Sequence, residues 1–117
     1  MPAGASVSIP LPNGTNTSQI LAQAGVTQLP GDATGVKIPT ISALAGWEFD
    51  EVSGSNVRFR LYDGTSASGI LIADLTISAS SQSQPPPPNP IQVTSGAIYL
   101  QWVSGAGSIA GPIYILL

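Results

Sequence analysis

The chain has 117 residues, of which only 8% are charged, and it contains neither cysteine nor histidine. A typical soluble domain carries about 25% charged residues, so this chain meets its surroundings mostly through neutral side chains. The missing cysteine and histidine exclude disulfides, thiolate nucleophiles and thiolate or imidazole metal ligands. A net charge of −3 leaves no basic cluster of the kind that binds a nucleic-acid backbone.

The nine charged residues, Asp32, Lys37, Glu48, Asp50, Glu51, Arg58, Arg60, Asp63 and Asp74, all lie between positions 32 and 74. The flanking segments must therefore be solvated by Ser, Thr, Asn and Gln or be covered by protein. A 43% apolar content and a positive mean hydropathy favour cover. Free domains normally carry dispersed surface charge to stay soluble.

Residues 1–34 read as an extended N-terminal arm. Pro2, Pro10, Pro12 and Pro30 interrupt regular structure, and only 17–24, capped by Ser18, suggests a short helical turn. Ile9, Leu11, Ile20, Leu21, Val26 and Leu29 give the arm apolar points with which to hold a neighbour. Deleting residues 2–30 is accordingly expected to leave the rest folded. Met1-Pro2-Ala3-Gly4 lacks the basic, then apolar, opening of a secretory leader, and no apolar run is long enough for a spanning helix.

From residue 35 to 117 the signal is β. A first strand is expected over 36–42, weakened by Pro39. Residues 44–50 and 56–62 both alternate apolar and charged. Paired as a hairpin about Ser53-Gly54-Ser55, they set Phe49 against Phe59 and Trp47 against Leu61 on one face. On the other face the same register sets Asp50 against Arg58 and Glu48 against Arg60. Asp63-Gly64-Thr65 marks a turn. Residues 70–78, apolar on both faces at first, suit a strand buried on both sides. Pro85 to Pro90 form a stiff polyproline loop. Gly96-Ala97-Ile98-Tyr99-Leu100 and Gly111-Pro112-Ile113-Tyr114-Ile115 echo each other as two hairpin strands. Their inward residues are Ile98, Leu100, Trp102, Ile113, Ile115 and Leu117. The fold class is therefore all-β: a single β-sandwich or jelly-roll-like domain, 35–117, with an extended N-terminal arm, 1–34.

Catalytic constellations are sparse. Glu48 and Asp50 would share a strand face, as a general acid–base pair requires, but opposing arginines and the absence of a desolvating pocket in the pattern make them an exposed ladder. Serine nucleophiles have no histidine, and Lys37 has no matching serine motif. Ser104-Gly105-Ala106-Gly107 lacks the lysine of a phosphate loop. No enzymatic activity, cofactor or metal is expected. Trp47, Tyr62, Tyr99, Trp102 and Tyr114 offer an alternative, a carbohydrate-binding module with Tyr62, Tyr99 and Tyr114 facing outward.

The run Asn56-Val57-Arg58-Phe59-Arg60-Leu61-Tyr62-Asp63-Gly64-Thr65, leading into Ile70-Leu71-Ile72-Ala73-Asp74-Leu75 and later Val93-Thr94-Ser95-Gly96-Ala97-Ile98-Tyr99-Leu100, resembles small β-sandwich virion proteins of tailed bacteriophages. The likeness covers roughly residues 40–117 and leaves the arm unmatched. It implies a capsid decoration or cement protein on the virion surface, a homotrimer that binds the major capsid protein across capsomers. A tail or fibre component is the alternative within that class. Neither nucleic acid nor membrane is an expected partner. Ile113, Ile115 and Leu117 on an apolar last strand, with the arm residues above, are the expected contact positions.

Overall fold

The computed structural model describes residues 6–25, 40–83, 85 and 89–116. Among these residues there are strands and no helix. The strands are β1 (Ser6–Thr15), β2 (Gln19–Gln23), β3 (Ala43–Trp47), β4 (Asp50–Glu51), β5 (Val57–Asp63), β6 (Ile70–Ile77), β7 (Ile91–Gln92), β8 (Ala97–Ser104) and β9 (Ile109–Leu116).

Period-two patterning decides which side of each strand is buried. In β5, Val57, Phe59 and Leu61 are 2% exposed or less, while Arg58 and Arg60 between them are half-buried. β8 buries Ile98 and Leu100, and β9 buries Ile109, Ile113 and Ile115. These faces meet as the core of two antiparallel sheets. One runs β1-β9-β3-β7, with β4 also on β9, and the other runs β2-β8-β5-β6.

The pairing scheme defines the fold. With the two-residue β4 set aside, the first strand pairs the last (β1·β9), the second pairs the next to last (β2·β8), then β3·β7 and β5·β6. Successive pairs fall alternately in the first and second sheet. A chain doubled back on itself and wrapped around a core in this way is a jelly roll.

The N-terminal segment is extended, but its described part is built into the sandwich. β1 runs along β9 from Ser6↔Leu116 to Leu11↔Gly111, and β2 lies beside β8 with Ile20↔Tyr99. Each is an edge strand of its sheet. The helical turn expected over 17–24 is thus strand β2. Ser18 caps no helix: its Oγ accepts the amide of Trp102 at 2.8 Å. Leu21, the extra residue in the β2–β8 register, is 1% exposed. Pairing and burial within the chain satisfy both the backbone and the apolar side chains that an arm would have offered elsewhere. The expected boundary between 34 and 35 lies outside the described residues, as does most of the expected strand 36–42.

The expected hairpin between 44–50 and 56–62 does not form. β3 and β5 belong to different sheets. The Phe49 and Phe59 rings do meet, edge to face at 5.2 Å, but across the core rather than along a ladder. Phe59 also stacks on Trp102 at 5.9 Å. Arg58 and Arg60 both bind Asp74 on β6, not Asp50 and Glu48. Likewise β8 and β9 face one core from opposite sheets and are not a hairpin. β6, expected to be buried on both sides, is an edge strand whose Ile70 and Leu71 are 67% and 52% exposed.

Candidate functional site

Two buried carboxylates tie loops together. Glu51, 3% exposed, accepts the amides of Gly54, Ser55 and Ser80 at Oε1 (2.7, 3.1 and 2.8 Å). Its Oε2 accepts the amide and hydroxyl of Ser53 (2.8 Å each) and the amide of Ser108 (3.1 Å). Burial pushes its pKa up, but the Ser80, Ser53 and Ser108 donors outweigh burial and hold it far below the usual carboxylate range. Asp63 does the same at another loop. Its Oδ2 accepts the Thr94 amide and hydroxyl (2.9 and 3.0 Å), and its Oδ1 accepts the Ser95 amide (3.0 Å) and hydroxyl. Here too burial raises the pKa and the Ser95 and Thr94 donors more than reverse it. Both acids therefore stay charged without presenting that charge to a partner.

Asp74 lies on the outer face of the second sheet. It accepts from Arg58 through Nε at 3.0 Å and Nη2 at 2.7 Å, and from Arg60 Nε at 3.1 Å. The Arg58 bonds are the main reason its pKa falls to about 2.

The same outer face carries an apolar row in which Leu71 is exposed, Ile20 and Tyr99 are half-buried and Tyr62 is buried. The register sets Ile20 beside Tyr99, Tyr99 beside Tyr62 and Tyr62 beside Leu71. Neighbours of this kind stand about 5 Å apart at Cβ, so the row crosses all four strands. The Tyr62 hydroxyl donates to Gln101 Oε1 at 2.9 Å, which fixes its ring along the sheet. Leu71, 52% exposed, ends the row; Ile70, paired with Asp63, falls on the opposite face by strand alternation. Beside the row run Gln101, Arg60 and Asp74. A strip of apolar and aromatic groups edged by a neutralised ion-pair cluster is suited to burial against another protein.

The nine contact residues expected from sequence fall differently. Ile9, Leu11, Leu21, Ile113 and Ile115 are at most 6% exposed in the chain's own core, so they cannot be partner contacts while the sandwich is folded. Their apolarity serves the jelly roll, since β1, β2 and β9 each need an inward face. Ile20 is half-buried on the outer row. Val26, Leu29 and Leu117 lie outside the described residues. Of the three tyrosines expected to share an outer platform, Tyr62 and Tyr99 are on the second sheet, while Tyr114 is on β9 in the first. They cannot form one platform.

Sequence reading missed Leu71 and Ile70 because their apolar character on both faces was ascribed to burial. It missed Glu51 because a single acid before a Ser-Gly-Ser turn carries no periodic signal. Compared with family models, curated proteins and solved structures, the chain matches none.

Proposed function

We propose that this chain is a structural virion protein of the capsid-decoration type, attached through the outer face of the β2-β8-β5-β6 sheet. The observation that carries the reading is the Ile20–Tyr99–Tyr62–Leu71 row, which ends on the exposed Leu71. A protein that acts by covering another surface needs apolar area and little unpaired charge to desolvate. Here Glu51 and Asp63 are satisfied internally and Asp74 by two arginines. The jelly roll itself is an architecture of viral capsid proteins and of lectins, which agrees with the reading without deciding it. The proposed partner is the major capsid protein, the proposed unit a homotrimer and the proposed place the capsid surface. The role is mechanical rather than catalytic.

Quantitative mass spectrometry of purified particles tests this. Decoration requires hundreds of copies in simple ratio to the capsid protein. A dozen copies would make the chain a tail or fibre component, and absence from particles would overturn the virion role. Leu71→Asp should shed the protein from particles while leaving its melting transition intact. Retention of that variant would overturn the docking face. Sedimentation equilibrium reads the oligomer, and a species other than a trimer would overturn that part.

A further inference from the structure

The two sheets differ in how their edges end. The first sheet ends on β1, which carries Pro10 and Pro12, and on β7, which is two residues long. Proline and short length both keep an edge from pairing further. The second sheet ends on β2 and β6, which hold neither proline nor lysine. β6 is eight residues long, and its one charged residue, Asp74, is met by Arg58 and Arg60. Among the described residues β2 pairs only with β8, and β6 only with β5. Alternate backbone groups along such an edge point away from the sheet, and what answers them is another strand.

Direction and side-chain pattern select that strand. β2, β8, β5 and β6 are each antiparallel to the next, so β2 and β6 run in opposite directions. Laying β2 of a second copy along β6 therefore extends the sheet as an antiparallel pair, with both outer faces on one side. Aligned in this way the apolar row runs on. Leu71, 52% exposed at its β6 end, comes beside Ile20 at the β2 end of the next copy, within side-chain contact. The charges fit the same arrangement. Arg58 and Arg60 leave the β6 side with one positive charge more than Asp74 cancels, and each guanidinium carries five N–H groups. The segment that the next copy brings to that side is the exposed, uncharged Asn16-Thr17-Ser18, whose side-chain oxygens can accept them. Pairing β6 with another β6 would set two positive surpluses together. Pairing β2 with another β2 would leave Leu71 uncovered.

We propose that copies of this chain join head to tail, β6 of one pairing antiparallel with β2 of the next, so that the second sheet continues from copy to copy. A contact between two different patches either closes into a ring or grows into a filament. Closure at three rests on the homotrimer proposed above, whereas the edge contact itself needs no capsid. The ring leaves the second sheet without an open edge and keeps its outer face for a larger partner.

The absence of cysteine from the chain allows a crosslinking test. Within one copy, residues 20 and 71 lie three strand spacings apart, about 14 Å. That exceeds the Cα separation of about 7 Å that a disulfide can bridge, so any bond between them joins two copies. The full chain carrying Ile20→Cys and Leu71→Cys, oxidised and run without reductant, should give a covalent trimer. A mixture of the two single variants should give their covalent dimer, and neither single variant alone should crosslink. Monomer throughout would overturn the proposal. So would Leu71→Cys crosslinking to itself, which places β6 against β6, or a ladder of bands beyond three, which opens the ring. Sedimentation equilibrium and amide exchange of the cysteine-free chain give a second measure. Association should slow exchange at alternate amides of β6, and Leu71→Lys, which sets a lysine on the edge, should sediment as a folded monomer. A Leu71→Lys chain that still associates would overturn the edge contact. All of these readouts are taken in solution, so their failure is distinct from absence of the chain from particles.

Discussion

Glu51 accepts the amide of Ser80, 29 residues further along the chain, at 2.8 Å. Ser80 holds φ at 55° to present that amide, a left-handed conformation that side-chain-bearing residues rarely adopt. The same carboxylate gathers the 53–55 turn and Ser108, so one side chain joins three loops. Glu51→Gln keeps the shape but turns one acceptor oxygen into an NH₂ facing amide donors. It should lower the thermal midpoint clearly more than Glu48→Gln, measured by circular dichroism. Equal effects would mean that the cluster contributes no more than a surface acid.

Acid sensitivity follows from the same groups. Glu51, Asp63 and Asp74 all have folded-state pKa values below their ordinary values of 4.5, 3.8 and 3.8. A depressed carboxylate contributes stability that is fully present above its ordinary pKa and is lost as pH falls toward the folded value. For Asp74 that window runs from 3.8 down to about 2. With no histidine in the chain, no side chain of ordinary pKa titrates between about pH 5 and 8. Urea unfolding should therefore give a flat stability across that range and a steep fall below about pH 4. Glu51→Gln should have a shallower acid limb, because one of the protonating groups is gone. A slope unchanged in the variant would reject Glu51 as a contributor.

Much of the fold was legible because burial imposes period two. Phe49, Phe59, Ile98, Leu100, Ile113 and Ile115 all point inward as the alternation requires. Which strands share a sheet was not legible. A contact between Phe49 and Phe59 is compatible with ladder neighbours or with opposed faces, and the charges at 48, 50, 58 and 60 suggested the former. The rival acid, Asp74, lay beyond the next turn and took both arginines. Local patterning carries no term for such non-local competition. The site was less legible still. Its row is assembled from β2, β8, β5 and β6 by register, and Phe49 meets Ser83 across 34 positions.

The N-terminal segment gives a decisive truncation. Deleting residues 2–25 removes β1 and β2, strips one edge from each sheet, and takes Ile9, Leu11, Leu21 and Ala22 out of the core. Large-to-small losses at such sites cost about 2–5 kcal/mol each, comparable in sum to the whole stability of a domain this size. The truncated chain should show no cooperative melt and should bind a hydrophobic dye. A truncation that melts cooperatively would return the segment to the role of an arm.

Two glycines separate conformational strain from steric exclusion. Gly54 and Gly111 both have positive φ, 90° and 120°. A Cβ at Gly54 would enter open space, whereas one at Gly111 would strike the carbonyl oxygen of Glu48. That contact arises where β9 passes the break between β3 and β4, beside the Glu48 amide bonded to the Pro112 carbonyl at 3.0 Å. Gly54→Ala should therefore cost only the left-handed penalty of about 1–2 kcal/mol. Gly111→Ala adds a backbone displacement costing about 1–3 kcal/mol more. Because β9 pairs with β1, β3 and β4, the displacement cannot be absorbed at an edge and must spread into three ladders. Denaturant midpoints for the two variants read the difference directly. Equal losses would show that β9 does not run as close to the Glu48 carbonyl as this packing requires.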